Sequence, residues 1–236
     1  MEEYVSFHDV HLTVHDVLYL EPETWLHDKS VSFALHYMND ERKREQGASA
    51  PEVVVVDAAI VSALKLTCDD AEERGQWRKG LGVGPTTHIL APVNDNSSLR
   101  THGPVSSHWS LLYIDVKSAM AIHFDSMQPK NYRDASRTAE VLMEMCTGKE
   151  ADAVTVLEAT GIPQQRNGYD CGVYACLFAA RIHEHLTRPC AHPSPLDDLE
   201  SPFYAHLRAS VTGDACDAFR AETRRTIMRL IKEKKG

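Results

Sequence analysis

Residues 108–126 read HWSLLYIDVKSAMAIHFDS and contain the clearest strand pair in the chain. Two apolar runs flank the polar turn Lys117-Ser118, and such a pattern predicts a β-hairpin. A hairpin places the start of its first strand beside the end of its second. We therefore expect His108 and Asp125 to be neighbours at one edge of a sheet.

Helical patterns lie on both sides of this hairpin. The predicted helices are 23–38, about 58–66, 69–80, 133–147, 170–187 and about 214–234. The predicted strands are 53–56, 86–93, about 109–116, 120–125 and 154–157, and the predicted loops are the polar run 39–50, the turn-rich stretch 94–107 and the proline-rich stretch 188–202. Because strands and helices do not alternate regularly, the pattern favours an α+β fold with a central, largely antiparallel sheet.

Length and composition are those of an ordinary globular domain. A chain of 236 residues, 43% apolar and 25% charged, suits one domain over 1–236 and excludes collagen-like, disordered and disulfide-stapled miniature proteins. The formal charge of −9 argues against a nucleic-acid partner held by bulk charge. No run approaches the ~20 apolar residues of a membrane span, so we expect no membrane partner either.

Six cysteines are compatible with disulfides, with a metal site or with thiol chemistry. The N-terminus, Met1-Glu2-Glu3-Tyr4, lacks the basic and apolar regions of a signal peptide. We therefore expect a cytoplasmic or nuclear protein whose thiols are reduced.

A zinc site would have to use the C-terminal cysteines and histidines, namely Cys176, His183, His185, Cys190 and His192. The chain has no CxxC pair, and His183 and His185 are two positions apart on a predicted helix, so they face different ways. The pattern therefore disfavours a metal.

Cys171 lies in the stretch QQRNGYDCG at 164–172. Turn-forming residues precede Asp170, which is placed to cap a helix that begins at the cysteine. The positive end of a helix dipole favours the thiolate, the nucleophilic form, and Gly172 would leave room for a substrate backbone. A buried structural cysteine fits the same local sequence equally well.

A nucleophilic cysteine needs a base, and the base needs an acceptor that orients it. His108 and Asp125 are the best candidates because the hairpin brings them together. Asp115 is a competing acceptor, but it would lie at the other end of the hairpin. A contact between His108 and Cys171 does not follow from the hairpin alone.

Several separated segments resemble the Ulp/sentrin-specific protease family, the cysteine proteases that process ubiquitin-like modifiers. HWSLL at 108–112, FDS at 124–126 and the stretch 164–172 match that family in order and spacing, and WLHD at 25–28 resembles its Trp-Leu-x-Asp segment. NDNS at 94–97 is similar to the deneddylating branch, which removes the cullin-modifying ubiquitin-like protein. The resemblance spans about residues 10–235.

The resemblance implies a papain-like cysteine protease fold of the Ulp type, with a central mixed or mostly antiparallel sheet flanked by helices. It also implies that Cys171 is the nucleophile, His108 the base and Asp125 the group that orients the base. Gln165, six residues before the cysteine, would donate its side-chain amide to the oxyanion hole.

For substrate binding, the resemblance implies that Trp25 and Trp109 are the walls of a narrow tunnel that only a Gly-Gly tail can enter. Asp28 would help to hold the tail or the body of the modifier. Position 27 departs from the pattern, since it is His where this branch usually has Asn.

The expected partner is a ubiquitin-like modifier with a Gly-Gly tail, together with its conjugates. The expected activity is isopeptide cleavage, chiefly deneddylation, with precursor maturation at the same site and no metal or organic cofactor. We expect a monomer. SUMO or ubiquitin specificity, a non-catalytic modifier-binding protein and an acyltransferase are the alternatives.

Overall fold

The structure is a computed structural model that describes residues 4–46, 51–68, 70–96, 107–128, 130–148, 154–187, 196 and 198–234. The strands are β1 (Tyr4–Phe7), β2 (Val10–Thr13), β3 (Val53–Val55), β4 (His88–Asn94), β5 (Trp109–Asp115), β6 (Met120–Phe124) and β7 (Val156–Glu158). The helices are α1 (Asp28–Gln46), α2 (Ala58–Thr67), α3 (Ala71–Leu81), α4 (Tyr132–Thr147), α5 (Cys171–Thr187), α6 (Pro202–Ser210) and α7 (Gly213–Glu233), and a 3₁₀ turn covers Asp16–Leu20.

The central sheet has five strands in the order β3-β4-β5-β6-β7. The three inner strands are antiparallel, whereas β3 and β7 pair in parallel with their neighbours, so the sheet is mixed. The predicted hairpin of β5 and β6 is confirmed, with Leu111 opposite Phe124. Asp125 therefore follows the last pair and His108 precedes it on the other strand, which places both residues at the same end of the hairpin.

Helices cover both faces of this sheet. Alternate residues of a strand point to opposite faces, so Leu111 and Tyr113 pack with α1, α5, α6 and α7. Leu112 and Ile114 pack with α2, α3 and α4 on the other face. Burying each such side chain contributes about 1.5–3 kcal/mol. The α+β architecture with a mixed sheet is thus confirmed. Among the described residues, no helix is both long and apolar enough to cross a bilayer.

The first helix differs from its prediction at both ends. It begins at Asp28 instead of 23, and it continues through most of the polar run 39–50 to Gln46. The prediction of a loop over this run is therefore wrong. Two ion pairs at helical spacing, Arg42–Glu45 and Arg44–Glu41, lie in that extension. Charged residues three apart on a helix support it on its solvent side, which explains why a polar run remains helical.

Among the parts of the fold that the sequence pattern does not predict are the β1–β2 ribbon and α6. The antiparallel ribbon of β1 and β2 has strands of only four residues, too short to show a clear alternation. The helix α6 begins at Pro202, the last residue of the stretch predicted as a loop. Proline is favoured in the first turn of a helix, where its missing N–H would have no partner. Residues 188–195 and 197 of that stretch lie outside the described residues.

Candidate active site

Cys171 is the first residue of α5 and is 3% exposed. The turn before it is closed by Asn167, whose Oδ1 accepts hydrogen bonds from the backbone N–H groups of Tyr169 (3.1 Å) and Asp170 (3.0 Å). The Asp170 carbonyl accepts the N–H of Tyr174 at 2.9 Å, so Asp170 occupies the position before the helix, as predicted. Its carboxylate is used elsewhere, however. It accepts from Asn167 Nδ2 at 2.7 Å and from Arg220 Nη2 at 2.7 Å.

His108 and Asp125 meet as the hairpin predicts, with 2.6 Å between His108 Nε2 and Asp125 Oδ1. Both side chains are buried. Asp125 also accepts the backbone N–H groups of Met127 (2.9 Å), Lys130 (3.1 Å) and Asn131 (3.2 Å). Burial alone would raise the pKa of this carboxyl, but the hydrogen bonds from His108 and from the backbone lower it overall. Asp125 is therefore a fixed, charged acceptor.

The side chain of His108 is also close enough to Cys171 to interact with its thiol, the contact that the hairpin alone did not predict. Since Nε2 is bonded to Asp125, Nδ1 is the nitrogen left for the thiol. Burial opposes protonation of His108, but the hydrogen bonds with Asp125 and Cys171 outweigh it and raise the pKa of His108 to about 9. At neutral pH the side chain beside Cys171 is therefore an imidazolium.

The competing acceptor, Asp115, is at the far end of the hairpin. Its carboxylate accepts the N–H of Lys117 at 3.1 Å and the hydroxyl of Ser118 at 2.6 Å, so it closes the turn between β5 and β6. The structure therefore brings Cys171, His108 and Asp125 together and leaves Asp115 apart.

The backbone of His108 is held by two side chains that the sequence reading did not assign. Strand β4 ends opposite Trp109, so Asp95 follows it beside His108 and accepts the His108 N–H at 3.0 Å. Asn131 donates its Nδ2 to the carbonyls of His108 and Val93, each at 3.3 Å. Asp95 belongs to the NDNS stretch at 94–97, whose similarity to the deneddylating branch gives no indication that Asp95 supports the backbone of His108.

A buried cation supports the same region. Lys65 of α2 donates its Nζ to the carbonyls of Asn94 (2.7 Å) and Asn96 (2.8 Å) and to Asp134 Oδ1 (2.8 Å). It therefore fixes both neighbours of Asp95. A lysine in an apolar helix is the signal that could have identified it, because charged side chains are rarely buried without partners.

Gln165 lies between the end of β6 and the turn before Cys171. Its Oε1 accepts the hydroxyl of Ser126 at 2.7 Å, and its Nε2 donates to the carbonyl of Asn167 at 2.7 Å. A side-chain amide has two N–H donors, so a second N–H remains beyond the bond to Asn167. The assignment of Gln165 to the oxyanion hole stays a prediction.

The two tryptophans differ in exposure. Trp25 is 47% exposed, as the wall of an open channel would be, whereas Trp109 is 7% exposed and donates its indole N–H to the Leu26 carbonyl at 3.2 Å. A Cβ added to Gly172 would lie 3.0 Å from Leu26 Cβ and 3.3 Å from Trp109 Cδ1. Gly172 is thus small because Leu26 and Trp109 pack on it, and the expectation that it leaves room for a substrate backbone is wrong.

Asp28 is the first residue of α1, and its Oδ1 lies 2.9 Å from Nδ1 of His27. The hydrogen bond to Asp28 raises the pKa of His27 against the effect of burial. The His27 ring stacks on Tyr19 at 4.6 Å and lines, with Trp25, a surface hollow of about 650 Å³. Asp28 is therefore not a free carboxylate, since its neighbour already bonds it.

The other described cysteines are buried and form no disulfide with one another. Burial raises the pKa of the Cys146 thiol to about 11 and that of Cys216 to about 12, and it also raises the pKa of Cys176. These thiols are neutral at physiological pH and serve as core side chains. Of the residues considered for zinc, Cys190 and His192 lie outside the described residues, and His183 Nε2 is bonded to Asn39 Oδ1 at 3.0 Å.

Comparison with known proteins agrees with this geometry. Residues 24–192 match the model of the Ulp1 protease family, C-terminal catalytic domain. The chain is 30% identical over 185 residues to sentrin-specific protease 8 of Homo sapiens, covering 78% of this chain and 82% of that protein. It is 25% identical over 232 residues to NEDD8-specific protease 1 of Arabidopsis thaliana, covering 98% of this chain and 95% of that one.

A solved structure, the C-terminal Ulp1 protease domain in complex with Smt3, the yeast ortholog of SUMO, superposes with a TM-score of 0.65. That likeness covers 97% of this chain and 89% of the Ulp1 chain at 20% identity, and it shows a shared fold. The family model covers more than half of the chain, and the site holds a buried cysteine in contact with a histidine. The protein therefore belongs to the Ulp1 protease family and is a cysteine protease.

Proposed function

We propose that the protein is an isopeptidase that cleaves after the C-terminal Gly-Gly of a ubiquitin-like modifier, and that it acts chiefly in deneddylation of cullin-type conjugates. The observation that carries this proposal is the position of His108, which is hydrogen-bonded to Asp125 and interacts with Cys171. This arrangement supports a nucleophile, a base and an orienting acceptor.

The choice of modifier rests on relatives and on one sequence segment. The relative from Arabidopsis thaliana is a NEDD8-specific protease, and the NDNS stretch at 94–97 is similar to the deneddylating branch. Other members act on a different modifier, since Ulp1 was solved with Smt3. SUMO and ubiquitin are therefore the alternatives that an experiment must compare.

The proposed reaction is acyl transfer to Cys171 followed by hydrolysis. The Cys171 thiolate attacks the carbonyl carbon of the terminal glycine and forms a carbon–sulfur bond. As the carbon–nitrogen bond breaks, the imidazolium of His108 gives its proton to the departing lysine amine. His108, now neutral, takes a proton from water, whose oxygen attacks the carbonyl carbon of the thioester. The carbon–sulfur bond then breaks, which releases the modifier with a free carboxyl group and returns the Cys171 thiolate beside the imidazolium. With a peptide bond in place of the isopeptide bond, the same steps would mature a precursor.

Developing negative charge on the carbonyl oxygen needs donors that are already in place. We assign this role to the backbone N–H of Cys171 and to the second amide N–H of Gln165. The first N–H of Gln165 bonds the Asn167 carbonyl, which holds the amide in the turn that leads to the nucleophile.

The tail-binding region is assigned to the exposed Trp25 and to Asp28, beside the residues that pack on Gly172. Because glycine has no side chain, two successive glycines fit a narrow passage that other residues would block. The buried Trp109 would support this region instead of lining it, since its indole N–H donates to the carbonyl of Leu26, the residue after Trp25.

A panel of fluorogenic C-terminal amides of NEDD8, SUMO and ubiquitin tests the modifier. We expect the NEDD8 substrate to be hydrolysed with the highest kcat/KM, and equal turnover of all three would overturn the deneddylating assignment while leaving the protease in place. A NEDD8 vinyl-type electrophile should form a covalent adduct with the wild type and none with Cys171→Ala. A silent binder would form no adduct, and an acyltransferase would need an added amine for rapid turnover.

A further inference from the structure

Arg220 of α7 is a buried guanidinium, 3% exposed, that reaches two separate parts of the site. Its Nε and Nη2 donate to Asp170 Oδ1 at 3.2 and 2.7 Å, and Nη2 lies 3.3 Å from the Tyr169 carbonyl. Nη1 donates to the Glu21 carbonyl at 3.1 Å, and Nη2 also donates to the Thr24 carbonyl at 2.8 Å.

The partners of Arg220 fall into two segments. Tyr169 and Asp170 directly precede Cys171, whereas the Glu21 and Thr24 carbonyls belong to the segment that leads into Trp25. One planar group therefore bonds both the turn before the nucleophile and the segment that carries the exposed tryptophan.

We propose that Arg220 is a positioning residue that sets Trp25 relative to the Cys171 sulfur and thereby determines how well the modifier tail is bound for attack. This role rests on the proposed function. Arg220 itself lies outside the part of the chain that the family model matches, which ends at residue 192.

The chemistry of the group explains why an arginine is needed. A guanidinium presents five N–H donors in a fixed fork, whereas a lysine ammonium offers three donors without that geometry. Arg220 uses the fork to bond one carboxylate and three carbonyls. A lysine at this position would keep the charge beside Asp170 but could not reach both segments together.

The two segments depend on Arg220 to different degrees. The turn before Cys171 has its own closure, because Asn167 bonds both the Asp170 carboxylate and the Asp170 N–H. The Thr24 hydroxyl, in contrast, bonds within its own segment, to the Tyr19 and Glu21 carbonyls. The segment is also held at its two ends, by the exposed pair of Arg224 with Glu21 and by the bond from Trp109 to the Leu26 carbonyl, but Arg220 holds its middle at the Thr24 carbonyl. Loss of the guanidinium should therefore displace the Trp25 segment more than the cysteine.

Arg224 provides a matched control. It lies one turn further along α7 and pairs with Glu21 Oε1 at 2.6 Å, so it contacts the same segment. Its side chain is 50% exposed, however, and an exposed pair contributes little. Arg224→Lys makes the same chemical change on the same helix without removing a buried fork.

The test compares the wild type, Arg220→Lys and Arg224→Lys in two assays. The first measures kcat and KM on the best modifier substrate of the panel. The second measures alkylation of Cys171 by iodoacetamide, read by mass spectrometry of the Cys171 peptide, which needs no tail binding. We expect Arg220→Lys to raise KM about tenfold while the alkylation rate stays within about twofold, and Arg224→Lys to match the wild type in both assays.

Several outcomes would overturn the proposal. An unchanged KM in Arg220→Lys is one of them. In particular, equal losses of kcat and of the alkylation rate at an unchanged KM would mean only that a smaller fraction of the variant is folded. If Arg220→Lys does not fold, Asp170→Asn weakens the same link and should raise KM in the same direction, and an unchanged KM there would count against the proposal. If the wild type hydrolyses none of the modifier substrates, both the proposed function and this role of Arg220 are overturned. If the wild type is active and Arg220→Lys has the same kcat and KM, only the role of Arg220 is overturned.

Discussion

Leu26 lies against Gly172 so closely that a methyl group on Gly172 would sit 3.0 Å from Leu26 Cβ. The residue after the exposed tryptophan and the residue after the nucleophile are therefore in direct contact. The distance between Trp25 and the Cys171 sulfur therefore depends on the packing of Leu26 against Gly172 as well as on the bonds of Arg220.

Gly172→Ala should consequently disturb the site from within the core. Overpacking at a buried position costs about 1–3 kcal/mol, and Leu26 and Trp109 must both shift to admit the methyl group. We expect a lower free energy of unfolding by urea titration and a raised KM for the modifier substrate. Gly75→Ala is the control, because Gly75 lies within α3 and an added Cβ there meets nothing within 4 Å. That change should stabilise the protein by about 0.5–1 kcal/mol.

Asp125→Asn should lower kcat strongly while the protein stays folded. An amide cannot keep the His108 ring oriented and charged as a carboxylate does, and the expected loss is about 10³–10⁴-fold. Asp115→Asn tests the competing acceptor at the other end of the same hairpin and should leave kcat within about twofold. A comparable loss in both variants would contradict the assignment of Asp125.

Gln165→Ala should lower kcat by about 10²–10³-fold if its second amide N–H stabilises the oxyanion. Part of any loss would come from the bond between Ser126 and Gln165, so Ser126→Ala is measured beside it. We expect the serine variant to lose far less. Equal losses would mean that Gln165 acts only by holding the turn.

Alkaline pH should weaken the fold through His108. Burial opposes its charge, but the hydrogen bonds to Asp125 and Cys171 raise its pKa from 6.5 to about 9. The resulting stability is fully present below the unfolded pKa of about 6.5 and is lost as the pH rises through about 9. We expect the free energy of unfolding to fall by up to about 3 kcal/mol over that range, and His108→Gln to remove the dependence.

Lys65→Met should be among the most damaging changes outside the catalytic groups. It removes a buried ammonium and leaves the Asn94 and Asn96 carbonyls and Asp134 without their donor, a loss of about 3–5 kcal/mol. Lys29→Met is the control, since Lys29 is 43% exposed and lies 3.7 Å from Asp16. That change should cost less than about 1 kcal/mol in a chemical denaturation experiment.

Local sequence patterns were sufficient to predict the hairpin of β5 and β6 and the start of α5. Two β-type runs around Lys117-Ser118 predicted the meeting of His108 and Asp125, and turn formers before Cys171 predicted where its helix begins. The contact between His108 and Cys171 joins the start of β5 to the start of α5, which packs on the sheet. A pattern within one segment carries no information on that packing, so only the family resemblance pointed to it.

The supporting residues were missed for a related reason. Lys65, Asn131 and Arg220 act on backbone carbonyls of other elements, and a carbonyl has no sequence signature. Arg220 did leave one trace, since it lies on the same stripe of α7 as the buried Thr223, Ile227 and Ile231. A charged residue on an apolar stripe indicates a buried partner but does not identify it.

The bond from Arg220 to the Glu21 carbonyl joins residues 199 positions apart. On the ribosome, Cys171, His108 and Asp125 are therefore all synthesised before Arg220, the residue proposed to set Trp25 relative to the Cys171 sulfur. A nascent chain that contains Cys171, His108 and Asp125 but not yet 213–233 also lacks α7, whose Ile227 and Ile231 belong to the core cluster that includes α5. The proposed alignment of Trp25 with Cys171 can therefore form only after α7 has been synthesised.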